Sequence, residues 1–246
     1  MQTVTSDLTI LDAPQVDLLD YMGSDSDICD AARVSTNTFE LKPAEVNQKL
    51  INYLLKNKHG TPFEHAAMKF YVSAPIFVFR EFHRHRIGFS YNEMSGRYTE
   101  LPSEFYVPNI VRPMINFGTS AHPDYRVPQT PEETHKQEHT YAVMVENVSI
   151  AYEEAWKSYK NMIDAGIAKE VARIVLPVGI YSRMYVTCNP RSLMNFLSLR
   201  IEDKDAAHVS HPQYEIQQVA KKMELEFMRS FPMTYKAYID NGRVAP

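Results

Sequence analysis

The sequence predicts an α+β fold, a mixed or antiparallel sheet with long helices, and three observations carry that prediction. Helical periodicity runs unbroken through residues 134–165, where Tyr141, Val145, Val148, Tyr152, Ala155, Tyr159 and Met162 recur alternately four and three apart. Two strand-like runs, 65–74 and 180–187, lie far apart in the chain without regular strand–helix–strand alternation around them. The 8 glycines include no GxG, so neither the turn of a doubly wound dinucleotide fold nor a phosphate loop is present. A chain of 246 residues with 44% hydrophobic content can bury one full core, and residues 1–246 read as one domain.

The elements follow in order. Residues 24–34 open with capping-type side chains and continue with apolar positions at helical spacing. A second helix occupies the stretch 42–60, with Pro43 near its start and Gly60 beyond its end. The alternating run 65–74 reads as a strand ending near Pro75. The stretch 75–86 then reads as a helix, apolar all round at first, hence buried, and basic in its last turn. Six prolines between Leu101 and Pro131 predict a long loop with a short strand at 105–107. The helix of 134–165 has an apolar seam that wants a partner, within its own subunit or across a subunit contact. Residues 166–176 form a helix stopped by Pro177, and 180–187 a strand. Residues 189–200 form a helix capped by Asn189 with Pro190 at its first position, and 214–230 close the set.

Composition narrows the function classes. A formal charge of −4 argues against a general nucleic-acid binder. Cys29 and Cys188 form no CxxC pair or structural zinc spacing, and they suit a reducing cytoplasm. No signal-like N-terminal segment or long apolar run suggests secretion or a membrane partner.

Against that acidic background, residues 84–98 concentrate Arg84, His85, Arg86, Asn92, Glu93, Ser95 and Arg97, just after His83. One or two cations at a helix C-terminus complement the macrodipole by about 0.3–1 kcal/mol each. Four consecutive basic or potentially basic groups repel one another, which points to an anionic ligand. Arginine's planar fork suits phosphate, and Ser95-Gly96-Arg97 joins a hydroxyl, a close-approach glycine and a guanidinium. The charges of Arg84 and Arg86 push His85 toward the neutral imidazole. A metal at His59, His65, His83 and His85 is disfavoured by the adjacent arginines and the divergence of His83 and His85 on a helix; no metal is expected. In the second polar cluster, Arg191 and Asn195 share a helix face while Arg200 lies about opposite, so Arg200 makes a structural ion pair or the helix lies between two ligands or subunits. The plain reading of Arg173 is a salt bridge to Glu170.

Taken together, Arg84-His85-Arg86 followed by Ser95-Gly96-Arg97 resemble the signature of the flavin-dependent thymidylate synthases. Eight positions separate the RHR triplet from Ser95, one more than the family pattern, which places an insertion near Gly88 or Phe89. Residues 31–35, 61–65, 74–78, 170–177 and 191–200 are similar to further family segments, and the likeness covers most of 15–230. The stretch 201–212 is longer than the pattern leads one to expect.

The resemblance implies the family's α+β fold and the reductive methylation of dUMP to dTMP. The carbon donor would be methylenetetrahydrofolate, the reductant NADPH, and the hydride carrier FAD. By the same resemblance, Ser35, His59, Thr61, Arg84, His85, Arg86, Ile87, Asn92, Glu93, Asn189, Arg191 and Asn195 would hold FAD. Glu81, Arg84, Glu93, Met94, Ser95, Gly96, Arg97, Arg173 and Arg200 would bind dUMP, with Arg200 catalytic through charge on the uracil. It also implies a homotetramer with active sites at subunit interfaces. Neither cysteine sits in a recognisable nucleophile setting, so the thiolate attack of classical thymidylate synthases is not expected here. The rival reading is a non-enzymatic nucleotide- or RNA-binding module that stacks bases on Phe82, Phe89 and Tyr91, and the net acidity counts against it.

Overall fold

The computed structural model describes residues 8–38, 40 and 42–246. Among the described residues fourteen strands and α-helices follow one another, besides short 3-10 turns: β1 (Thr9–Leu11), β2 (Gln15–Met22), α1 (Asp25–Arg33), α2 (Ala44–Lys56), β3 (Ala67–Pro75), α3 (Ile76–Phe82), β4 (Phe89–Glu93), β5 (Glu104–Tyr106), α4 (Pro131–Asp164), α5 (Lys169–Ala172), β6 (Tyr181–Cys188), α6 (Pro190–Arg200), α7 (Tyr214–Ser230) and α8 (Pro232–Asp240). The expected α+β class holds. The described residues form two compact units whose segments alternate along the sequence: those within 8–13, 75–77 and 94–182 in one, those within 14–74, 78–93 and 183–246 in the other.

The second of these units carries a four-stranded sheet of order β2-β3-β6-β4, covered by helices. β2 and β3 pair antiparallel from Gln15 opposite Ser73 to Met22 opposite Ala67, with a bulge between Leu18 and Asp20. β4 pairs antiparallel with β6, Phe89 opposite Cys188 and Glu93 opposite Met184. α7 packs on β2, α6 on α7 and α2 on α8. Their apolar faces meet in a core containing Ile51, Phe70, Val186, Phe196, Val219 and Phe227, all fully buried. Each such side chain removed from water stabilises the fold by about 1.5–3 kcal/mol. The strands before residue 24 and the helix α8 are absent from the sequence expectations. α8 draws its capping from a distant residue: the carboxylate of buried Asp25 accepts from the backbone N–H groups of Met233 and Thr234 and from the Thr234 hydroxyl.

The other unit holds the parallel pair β1–β5. The long helix α4 starts where Thr130 accepts from the Glu133 N–H. Leu101, Phe105 and Ile180 form its core, packed by Met94, Tyr152 and Trp156. The seam on α4 is partly satisfied there: Tyr159 is fully buried, whereas Tyr141, Val145 and Val148 stay half-buried and Val143 and Ile150 are exposed.

Three local expectations are corrected. α3 ends at Phe82, so His83, Arg84, His85 and Arg86 lie in the turn beyond it instead of forming its last turn. α2 ends at Lys56, short of the expected stretch to 60, with Gly60 beyond it; Lys58 takes the left-handed conformation after the helix, at φ 61°. The segment 166–176 folds as the short α5 and a 3-10 turn (Arg173–Val175).

Candidate active site

The turn that carries Arg84, His85 and Arg86 is built by aromatic packing. Phe82 is fully buried and stacks on Phe196 of α6, centroids 4.9 Å apart and planes 13° apart. Tyr91 of β4 stacks on Phe89 at 5.7 Å. Its hydroxyl lies 2.9 Å from the Phe82 carbonyl and 2.7 Å from the His85 carbonyl, which ties down the helix end and the turn together. These rings are spent on one another, so the base-stacking role of the rival reading finds Phe82 inside the core. β4 was unforeseen, although the alternation of Phe89, Tyr91 and Glu93 with Ser90 and Asn92 was its signal. That alternation also points Asn92 and Glu93 to opposite faces of the strand, so the two do not line one wall.

Gly88 explains how the turn meets α6. It takes a left-handed φ of 68°, and a Cβ there would collide with the Ser192 Oγ and come within 2.8 Å of the Asn189 amide nitrogen. Asn189 caps α6 by accepting from the Ser192 N–H at 2.8 Å, as its position in the sequence predicts. The turn of Arg84–Arg86 and the cap of the helix bearing Arg191 and Asn195 are therefore in contact. Among the described residues Arg84 and Arg86 form no ion pair, and both are exposed. Ile87, at the tip, is 87% exposed.

A third segment joins from the other side of Arg191. Its guanidinium packs over Gly60, where a Cβ would lie 2.5 Å from Nε and Cζ, between His59 and Thr61. Arg191 also pairs with Glu64 at 2.6 Å and donates to the Pro246 carbonyl at 2.9 Å. His59 stacks on Tyr53. Ser35 lies in a 3-10 turn after α1 and donates to the Ala32 carbonyl. Asn195 is exposed on the face it shares with Arg191.

Arg200 sits at the C-terminal end of α6 and is engaged by α3. It pairs with the Glu81 carboxylate at 2.8 Å and donates from Nε to the His85 Nε2 at 3.1 Å. His85 is held neutral, its pKa pushed down to about 4, first by burial and then by the Arg200 charge. The expected direction stands, but the causes are burial first and the Arg200 charge second, not the flanking arginines.

The unit containing 94–182 brings together a separate group. Ser95 opens a turn in which its hydroxyl accepts from the Arg97 N–H and its carbonyl from the N–H groups of Tyr98 and Thr99. Gly96 is buried, and a Cβ on it would press on Arg173 Cδ and Leu101 at 3.3 Å. The stem of Arg173 therefore lies against the turn. Glu170 pairs with Arg97 at 3.1 Å, correcting the expected Glu170–Arg173 bridge, and Arg173 has no ion pair among the described residues. The Arg97–Glu170 pair is about half exposed on both sides, so it contributes at most about 1 kcal/mol and can yield to a competing anion. Met94 packs against the local core.

The two thiols are not poised for attack. Burial raises the thiol pKa of Cys188 strongly and that of Cys29 to about 11, so neither offers a thiolate near neutrality. Among the described residues no three His, Cys, Asp or Glu side chains gather as metal ligands. None of the helices among those residues is long and apolar enough to cross a membrane.

Over most of its length the chain is similar to known proteins. The family model described as thymidylate synthase complementing protein matches residues 17–233. A protein of Streptomyces avermitilis named flavin-dependent thymidylate synthase is 48% identical over 236 residues, covering 94% of this chain and 93% of that one. One of the same name from Thermotoga neapolitana is 43% identical, covering 94% of both. The crystal structure of the UMP/dUMP methylase PolB from Streptomyces cacaoi bound with 5-Br dUMP superposes with a TM-score of 0.85 at 41% identity, covering 97% of this chain and 100% of that one. The same enzyme bound with 5-Br UMP gives 0.84 at 42%, covering 98% and 100%.

Proposed function

The chain belongs to the thymidylate synthase complementing protein family, and we propose that it converts dUMP to dTMP with FAD, taking its carbon from methylenetetrahydrofolate and its electrons from NADPH. The observation that carries the proposal is the packing of Arg173 on the Ser95-Gly96-Arg97 turn. It gathers two guanidinium groups, a hydroxyl and a close-approach glycine, with one exposed carboxylate in competition. That donor set suits a nucleotide phosphate.

The residues around Gly88 fit a flavin dinucleotide. Arg84 and Arg86 offer exposed guanidinium groups with no ion pair among the described residues, and the sterically confined turn abuts the capped N-terminus of α6, where Arg191 and Asn195 share a face. Arg84, His85, Arg86, Asn189, Arg191 and Asn195 would hold FAD, with Ser35, His59, Thr61, Ile87, Asn92 and Glu93 as further contacts. Bound there, the flavin supplies hydride transfer, which a chain with two inert thiols needs from a cofactor. Ser95, Gly96, Arg97 and Arg173 hold the nucleotide phosphate and sugar. Arg200 stabilises negative charge on the uracil ring. Met94 contributes through packing of the turn's base.

A homotetramer belongs to the same proposal, and the half-buried seam and exposed Val143 and Ile150 of α4 support it. Cytoplasmic residence is likewise proposed, supported by two free, buried cysteines. The test is direct. The purified protein should be yellow or take up added FAD, dUMP should perturb the visible spectrum, and labelled dTMP should appear with the folate and NADPH. A folded, tetrameric preparation that refuses FAD would overturn the proposal. UMP run in parallel tests which sugar is accepted.

A further inference from the structure

Three contacts converge on one guanidinium, and the resemblance implies ligand contacts for both partner residues, dUMP for Glu81 and FAD for His85. We propose that Glu81 and His85 are positioning residues that act through Arg200, fixing its guanidinium toward the pyrimidine ring, and that neither needs to touch the nucleotide. This rests on the functional reading above.

A guanidinium has five N–H donors. In this structure Nε donates to His85 Nε2 at 3.1 Å, one terminal nitrogen meets the Glu81 carboxylate at 2.8 Å, and the other donates to the Glu81 backbone carbonyl at 3.3 Å. Two N–H donors are left for a ligand. Accepting at Nε2 requires that nitrogen to be unprotonated, so His85 is the neutral imidazole with its proton on Nδ1. The groups facing it are Arg200 and the Phe196 ring from α6, Phe89 and Tyr91 from β4, and His83, Arg84 and Arg86 beside it on the turn. Its ring is T-shaped to Phe196 at 5.0 Å, and its carbonyl is tied to the Tyr91 hydroxyl. A ring so walled in has little freedom to turn its acceptor away.

The charge balance indicates which part of a nucleotide Arg200 serves. The Glu81 carboxylate compensates Arg200 in a setting where the arginine side chain is only 16% exposed. A guanidinium paired in so buried a setting is a poor partner for a phosphate dianion, unlike Arg173 or Arg97, whose pair with Glu170 is about half exposed and can yield. It suits a neutral planar ring, such as a pyrimidine imide, on which negative charge develops only during reaction. Holding the fork in advance means that no reorganisation is required at that moment.

The test is a double-mutant cycle with a spectroscopic control. Glu81→Leu is expected to lower kcat about tenfold, the effect of losing a hydrogen bond to a charged group, while dUMP affinity stays within about twofold. Glu81→Leu combined with Arg200→Ala should be no worse than Arg200→Ala alone. Glu81→Gln and His85→Gln keep an acceptor and should retain more activity than Glu81→Leu and His85→Leu. In the 15N-labelled protein without nucleotide, His85 Nε2 should be unprotonated at neutral pH, and the Arg200 Nε–H should exchange slowly, faster in His85→Leu. Additive losses in the double mutant, a dUMP affinity that falls with kcat, or a protonated His85 Nε2 would overturn the inference. A wild-type protein that makes no dTMP refutes the functional reading instead, and the nitrogen spectrum still decides the contact.

Discussion

Substituting alanine at Gly88 separates backbone strain from steric conflict, because Gly166 provides an internal reference. Both glycines are left-handed, at φ 68° and 80°, but nothing lies within 4 Å of a Cβ at Gly166. Gly166→Ala should therefore cost only the left-handed penalty, about 1–2 kcal/mol. Gly88→Ala adds contacts with Ser192 and Asn189. Rotating the Ser192 hydroxyl relieves the closest of them, yet the Ser192 Cβ at 3.1 Å and the Asn189 amide at 2.8 Å remain. Overpacking costs about 1–3 kcal/mol. Loss of the Asn189 cap would add about 1 kcal/mol. The excess over Gly166→Ala should thus be roughly 1–4 kcal/mol, or about 2–16 °C in Tm at 2–4 °C per kcal/mol. Calorimetry reads the shift, and titration with FAD reads the function: affinity should drop in Gly88→Ala and persist in Gly166→Ala. Equal Tm shifts for the two, with FAD binding intact, would refute the idea that the turn is pinned against α6.

Other expectations follow from the same contacts. Arg97→Ala should weaken dUMP binding far more than FAD binding and change stability by less than about 1 kcal/mol, since its pair with Glu170 is exposed; titrations of both ligands against a thermal melt check this. His85 has a folded pKa of about 4 against an ordinary 6.5, so between those values the unfolded chain binds more protons and stability rises with pH. Urea midpoints should fall as pH drops from about 6.5 toward 4, and His85→Gln should flatten part of that limb. Cys29 and Cys188 should resist a thiol reagent in the folded protein and react on unfolding, which an absorbance assay with and without denaturant will show.

Periodicity and punctuation were enough for the longer elements. The boundaries of α6 and α7 and the Asn189 cap follow from local patterns, because helix hydrogen bonds and caps lie within a few residues of one another; the strand β6 is legible from its apolar, β-branched and aromatic run although its partners are distant. The strands β2 and β4 were harder to read: both lie at sheet edges, so the long apolar runs of doubly buried strands are absent. α8 was hidden for a different reason, since its capping carboxylate, Asp25, is at the other end of the chain. α3 is shorter than its apolar run suggested, and the Tyr91 hydroxyl, from the next strand, lies between the carbonyl of Phe82 at its end and that of His85 in the turn.

The sequence by itself determined the inventory: where arginine, serine and glycine concentrate, which thiols lack a partner motif, and which family signature they compose. Only the tertiary structure decided how that inventory is shared. Which guanidinium faces a carboxylate and which stays unpaired depends on residues brought close from distant segments, as Arg97 takes Glu170 from Arg173 and Arg200 takes both Glu81 and His85. Charge is a property of composition, but its compensation depends on distance, and distance is set by packing.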